Sequence, residues 1–91
     1  MAELKIKRGF VLNEIDGEYI VAATGRRSRS FSGYICLNHT GKFLWALLQK
    51  GISYDALQRE FMNEFEIDCD TAKEDIDAFL SKLEGAEIIE R

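Results

Sequence analysis

The sequence predicts a small α+β domain in which three short strands precede three helices. β-branched and aromatic runs broken by Asp16-Gly17 fill the first part of the chain, while apolar residues at helical spacing fill the rest. Two short connections, at Gly51-Ile52 and Ile67-Asp68-Cys69, suit a compact tri-helical core of helix-turn-helix type. At 91 residues the chain has room for one hydrophobic core, so residues 1–91 are expected to form a single domain.

The first two strands are Phe10 to Ile15 and Glu18 to Thr24. Asp16-Gly17 between them supplies the two positive φ angles of a type I′ turn, which sets the register. Ile15 then faces Glu18, and counting back pairs Glu14 with Tyr19, Asn13 with Ile20, Leu12 with Val21, Val11 with Ala22 and Phe10 with Ala23. One face carries Phe10, Leu12, Val21 and Ala23, with Glu14 and Tyr19 at its margin. The other still holds Val11, Ile15, Ile20 and Ala22, so something is expected to cover part of it. After the polar run Gly25 to Ser30, a third strand is expected over Gly33 to Leu37.

Asn38 is a good N-cap, and the helix it starts, to about Lys50, puts Gly41, Leu44 and Leu48 on one stripe with Phe43, Trp45 and Leu47 beside it. Ser53 caps a second helix, to about Phe65, whose Tyr54, Leu57, Phe61 and Phe65 share a face. Asp68 or Asp70 caps a third, about residues 69–84, with Ala72, Ile76, Phe79, Leu80 and Leu83 on one side. The tail Ala86 to Ile89 is expected to add a short extended piece.

Composition narrows the function classes. With 46% hydrophobic residues and no long apolar run, the chain is too apolar for disorder and too interrupted for a membrane span. The N-terminal residues lack the pattern of a signal peptide, which makes a cytoplasmic location the expectation. The net charge of -4 hides an asymmetry: residues 1–54 sum to about +4 and residues 55–91 to about -8. Phosphate backbones bind basic faces, so the acidic half is poorly suited to nucleic acid.

No constellation for catalysis stands out. His39 is the single histidine and has no nucleophile context, so it is expected to be an exposed first-turn residue. Cys36 and Cys69 lack CxxC spacing and have too few companion ligands for zinc, and both are expected to be reduced and packed. Glu74, Asp75 and Asp77 near a helix N-terminus are favoured by the macrodipole and need no metal. No cofactor is expected.

The run Leu37-Asn38-His39-Thr40-Gly41-Lys42-Phe43-Leu44-Trp45, followed by a glycine, a capped acidic helix and then Asp75-Ile76-x-x-Phe79-Leu80-x-x-Leu83, resembles the PqqD family. That family includes pyrroloquinoline quinone biosynthesis protein D and the recognition domains of ribosomally made, modified peptides. The resemblance extends over roughly residues 8–90 and is most specific at Leu37 to Trp45. It implies a winged helix-turn-helix fold, a three-stranded antiparallel sheet followed by a three-helix bundle, that performs no chemistry. It further implies that the domain binds the leader of a precursor peptide and presents it to a modifying enzyme, often a radical S-adenosylmethionine (SAM) enzyme. The leader is implied to lie as an added strand beside the third strand, in the groove toward the third helix near Asp75, Phe79 and Lys82.

The residues themselves agree with that mode. A sheet edge offers unpaired N–H and C=O groups that an extended peptide satisfies. Ser32, Gly33, Tyr34, Ile35, Cys36 and Leu37 form the candidate edge, and the small Ser32, Gly33 and Cys36 let another backbone approach. Tyr34 is either a half-buried sheet residue or part of the peptide groove. Arg26, Arg27 and Arg29 raise a local positive potential that steers an anionic partner. Asn38, Thr40 and Gly41 are read as capping and close-packing residues rather than ligand contacts. The alternative function is a DNA-binding winged-helix regulator, and the exposed third-helix positions Lys73, Glu74, Asp77, Ser81 and Glu84 disfavour it. The Gly25 to Ser30 segment leaves both a monomer and a strand-exchanged dimer open.

Overall fold

The computed structural model describes residues 3–24 and 35–90. Strands β1 (Lys5–Ile6), β2 (Phe10–Ile15), β3 (Glu18–Ala23) and β4 (Ile35–Leu37) precede helices α1 (His39–Lys50), α2 (Tyr54–Phe65) and α3 (Cys69–Gly85), and strand β5 (Ile89–Glu90) follows them. The helices begin and end within one residue of the expected positions, whereas Gly33 and Tyr34, expected to open the third strand, lie outside the described residues.

β2 and β3 pair antiparallel in the register that the turn dictates, from Phe10 with Ala23 to Ile15 with Glu18. Asp16 and Gly17 adopt φ of 52° and 81°, the positive pair a type I′ turn requires. β4 joins the other side of β3 through Tyr19 with Leu37, Ile20 with Cys36 and Val21 with Ile35, giving the order β2-β3-β4. Because side chains alternate across a strand, Phe10, Leu12, Tyr19, Val21, Ala23, Ile35 and Leu37 share one face, and all of them belong to or pack on the core.

On the other face Val11 is 38% and Ile15 53% exposed, while Ile20 and Ala22 are half-buried. The reason lies in the order of elements. All the helices follow the sheet in one run, and their buried stripes merge with the inner sheet face into a single cluster, so among the described residues no helix covers the outer face. The same alternation corrects the reading of the cysteines. Both are free and exposed, Cys36 because it stands between two inward residues and Cys69 because it opens the first turn of α3 beside the Gln58 amide, whose Nε2 lies 3.0 Å from its sulfur.

Each helix starts on a side-chain cap. Asn38 Oδ1 accepts from the Gly41 N–H at 2.8 Å, Ser53 Oγ from Ala56 at 3.2 Å and Asp68 Oδ1 from Thr71 at 2.7 Å, so Asp68 rather than Asp70 is the cap of α3. The Thr71 hydroxyl, and then its backbone N–H, favour the charged carboxylate and hold Asp68 below its ordinary pKa of 3.8.

Four residues of α1 are buried, Gly41, Leu44, Trp45 and Leu48, on the stripe expected for a central helix. α2 buries Leu57 and Phe61, and α3 buries Ala72, Ile76, Leu80 and Leu83. Phe43, Phe61 and Phe65 interlock α1 with α2, with Phe65 edge-on to Phe43 at 5.4 Å between ring centroids. Tyr54 donates its hydroxyl to Asp77 Oδ1 at 2.6 Å, tying the start of α2 to α3.

The N-terminal segment forms a strand that the sequence reading left unassigned. Lys5 pairs with Glu90 and Ile6 with Ile89, while Leu4 exchanges backbone hydrogen bonds of 2.8 and 3.0 Å with Ile52. The extended tail therefore has a partner, and Leu4, Ile6, Ile88 and Ile89 close the far end of the core.

Candidate functional site

β4 has β3 on one side and, among the described residues, no strand on the other. Beside it opens a groove of about 380 Å³ whose walls are the C-terminal part of β4, the first turns of α1 and one stripe of α3. The stripe is Asp75, Ala78, Phe79 and Lys82, the i, i+3, i+4, i+7 pattern of a helix face, and it lies beside the buried stripe of the same helix. The floor is apolar: Leu37 and Leu44 are buried and Phe79 is half-buried. A second cleft, about 700 Å³, is lined by Arg59, Glu60, Met62, Asn63 and Ile67 and touches no strand. The groove beside β4 is the better site for a chain partner, since there an unmatched row of backbone donors and acceptors meets an apolar floor.

Gly41 sets how closely α1 and α3 approach at this floor. A Cβ there would lie 3.2 Å from Asn38 Oδ1, 3.3 Å from Leu37 Cβ and 3.3 Å from Phe79 Cε1. The Asn38 oxygen is held in place by two donors, the Gly41 N–H and the Thr40 hydroxyl at 2.9 Å. Loop, cap and helix contact are thus one unit.

Charge is placed at the two ends of the α3 stripe. Asp75 stands one turn before Phe79 and Lys82 one turn after it, both exposed, and no hydrogen bond or ion pair engages either among the described residues. Beyond the end of β4, the Lys42 ammonium sits 4.6 Å from the centroid of the Tyr19 ring, which in turn lies 5.9 Å from the His39 ring. His39 is exposed in the first turn, as expected.

Of the expected peptide-contacting residues, the groove brings together Cys36, Leu37, Asp75, Phe79 and Lys82. Ile35 is not among its lining residues; it faces the core from the inner side of the sheet. Arg26, Arg27, Arg29, Ser32, Gly33 and Tyr34 lie outside the described residues. Five lining residues were not anticipated as such: Asn38, Thr40, Gly41, Leu44 and Ala78. Ala78 was legible, since it completes the stripe with Asp75, Phe79 and Lys82. Asn38, Thr40 and Gly41 cap and pack as read, but they were set apart from the site and the structure places them in the groove wall as well.

Among the described residues no group of His, Cys, Asp and Glu is placed to hold a metal, and no helix is long and apolar enough to cross a membrane. The arrangement offers an extended chain backbone groups at a strand edge and side-chain contacts in the groove beside it.

The sequence signature described as coenzyme PQQ synthesis protein D (PqqD) matches residues 9–89. Among solved structures, one described as TbiB1 in complex with the TbiA(beta) leader peptide superimposes with a TM-score of 0.77 at 26% sequence identity, over 94% of each chain. No curated protein matches the sequence.

Proposed function

This chain belongs to the coenzyme PQQ synthesis protein D family, and from that premise we propose that it is a non-catalytic adaptor for a peptide-modification pathway. It binds the leader of a ribosomally made precursor peptide as a strand added to the edge that ends in β4, and presents the rest of the precursor to a modifying enzyme of the radical SAM class in the cytoplasm. The leader contacts the edge Ser32 to Leu37 and the α3 residues Asp75, Phe79 and Lys82, with Arg26, Arg27 and Arg29 near one end of the docked peptide. The observation that carries the reading is the edge of β4, which among the described residues has a single strand neighbour, standing over a groove with an apolar floor. The likeness in fold to a chain solved with a leader peptide supports it.

The DNA-binding alternative gains nothing from the geometry. Glu74, Asp77 and Glu84 are exposed on the outer side of α3, where a recognition helix needs cations and amides.

The test is a titration of the isotope-labelled chain with the leader of a precursor encoded beside its gene. Amide shifts are expected at Ser32 to Leu37 and around Asp75, Phe79 and Lys82, with α2 silent. Shifts confined to α2 or to the Asp16-Gly17 turn would overturn the assignment of the groove.

A further inference from the structure

We propose that the groove selects its peptide by charge order: a basic side chain over Asp75, a large apolar one over Phe79 and an acidic one over Lys82. The inference rests on the adaptor reading and adds to it the chemistry of the segment that is bound.

Three observations carry it. Asp75, Phe79 and Lys82 lie on one stripe of α3 that forms a wall of the groove. Both charges are exposed on the groove wall, and neither is engaged by a side-chain hydrogen bond or ion pair among the described residues. Between them Leu44 and Phe79 present apolar surface to the groove, which favours contact with a large apolar side chain over a polar one.

The spacing converts to a sequence pattern. Seven residues of helix advance about 10 Å along the axis. Side chains on one face of an extended peptide recur about every 6.8 Å, so positions i and i+4 span about 13.6 Å and leave i+2 between them. The flexible stems of the charged residues absorb the remaining difference. The recognised segment is therefore a charge, any residue, an apolar residue, any residue and the opposite charge. A peptide with the two charges exchanged meets two repulsions in place of two attractions, and its affinity should fall by about tenfold, since exposed pairs are individually weak.

A randomised dodecapeptide library, displayed on phage and selected on the whole chain, tests this. Enriched peptides should carry the opposite charges four positions apart around an aliphatic or aromatic residue, all in one order along the peptide. Selection on D75K/K82E should enrich the reverse order, and selection on the milder D75N/K82Q should keep the apolar residue and lose the charges. If D75K/K82E does not fold, the D75N/K82Q result decides alone: enriched peptides that keep the charge order on it overturn the proposal. Peptides without charge order, or with the same order on parent and D75K/K82E, also overturn it; if they still shift Leu37 and Phe79, the adaptor reading survives. No enrichment on any variant removes the adaptor reading as well.

Discussion

Replacing Gly41 by alanine separates two opposing effects whose sizes can be set from the geometry. Alanine in a helix gains up to about 1 kcal/mol over glycine, and less in the first turn. Against this, the added Cβ meets three atoms at 3.2–3.3 Å, closer than the 3.5–4.0 Å of a comfortable carbon contact. Two of them cannot move freely: Leu37 Cβ is fixed to the backbone of β4, and Asn38 Oδ1 is held by two hydrogen bonds. The tip of the Phe79 ring must yield, and overpacking of this kind costs about 1–3 kcal/mol. The net loss should be about 1 kcal/mol, which for a domain of this size lowers the melting temperature by about 4–8 °C. Urea denaturation of Gly41→Ala, Phe79→Leu and the double variant reads the coupling directly. Leucine removes the ring tip, so Gly41→Ala in that background should be neutral or slightly stabilising. An equal loss in both backgrounds, or a gain in the parent, would refute the account of α1 against α3.

Three further outcomes are expected. Asn38→Ala should lower stability by about 1 kcal/mol in urea melts, while Asn38→Asp, which keeps the acceptor, should not. For Asp68 the folded-state pKa lies below the ordinary 3.8, so its charge contributes stability that is complete above that value and disappears as the pH falls through the lower, folded-state value; the margin of the parent over Asp68→Asn should therefore close on acidification below 3.8 and stay constant from there to neutrality. Replacing Arg26, Arg27 and Arg29 together by alanine should slow association with an acidic leader in stopped-flow at low salt and leave dissociation nearly unchanged, the effect shrinking as salt shortens the Debye length to about 8 Å.

How much of this was readable from the residues depended on how local the determining interaction is. The hairpin register followed from Asp16-Gly17, because a two-residue turn leaves no freedom, and the Asn38 and Ser53 caps followed from side chains that act on backbone three residues away, while the third cap stayed open between Asp68 and Asp70 until the structure placed Asp68 there. Leu4 and Ile6 were not readable. A two-residue strand has too little alternation to register, and its partners are Ile52 and the tail, far along the chain. The exposure of the two cysteines was missed because residue type alone says what burial would gain, not whether a neighbouring element provides it. At the site, Asp75, Phe79 and Lys82 came from the family resemblance, while their common stripe with Ala78 was present in the spacing. That the residues of the first α1 turn also wall the groove required knowing where α3 lies, which is a tertiary fact.

The pairing of β1 with β5 has a consequence for folding and for attachment. It joins residues more than eighty positions apart, the largest loop the chain can close, so its entropy is recovered last and the clip should form after the helices have docked. Leu4 reaches this clip through Ile52, just beyond the end of α1, whereas the groove lies at the first turn of that helix. Eleven residues of helical rise place the two about 16 Å apart. A polypeptide joined before Leu4 or after Glu90 therefore leaves from the end of α1 remote from the groove, and both junctions leave side by side. Tension or fraying there is taken up by the last contacts to form, with the groove end already assembled.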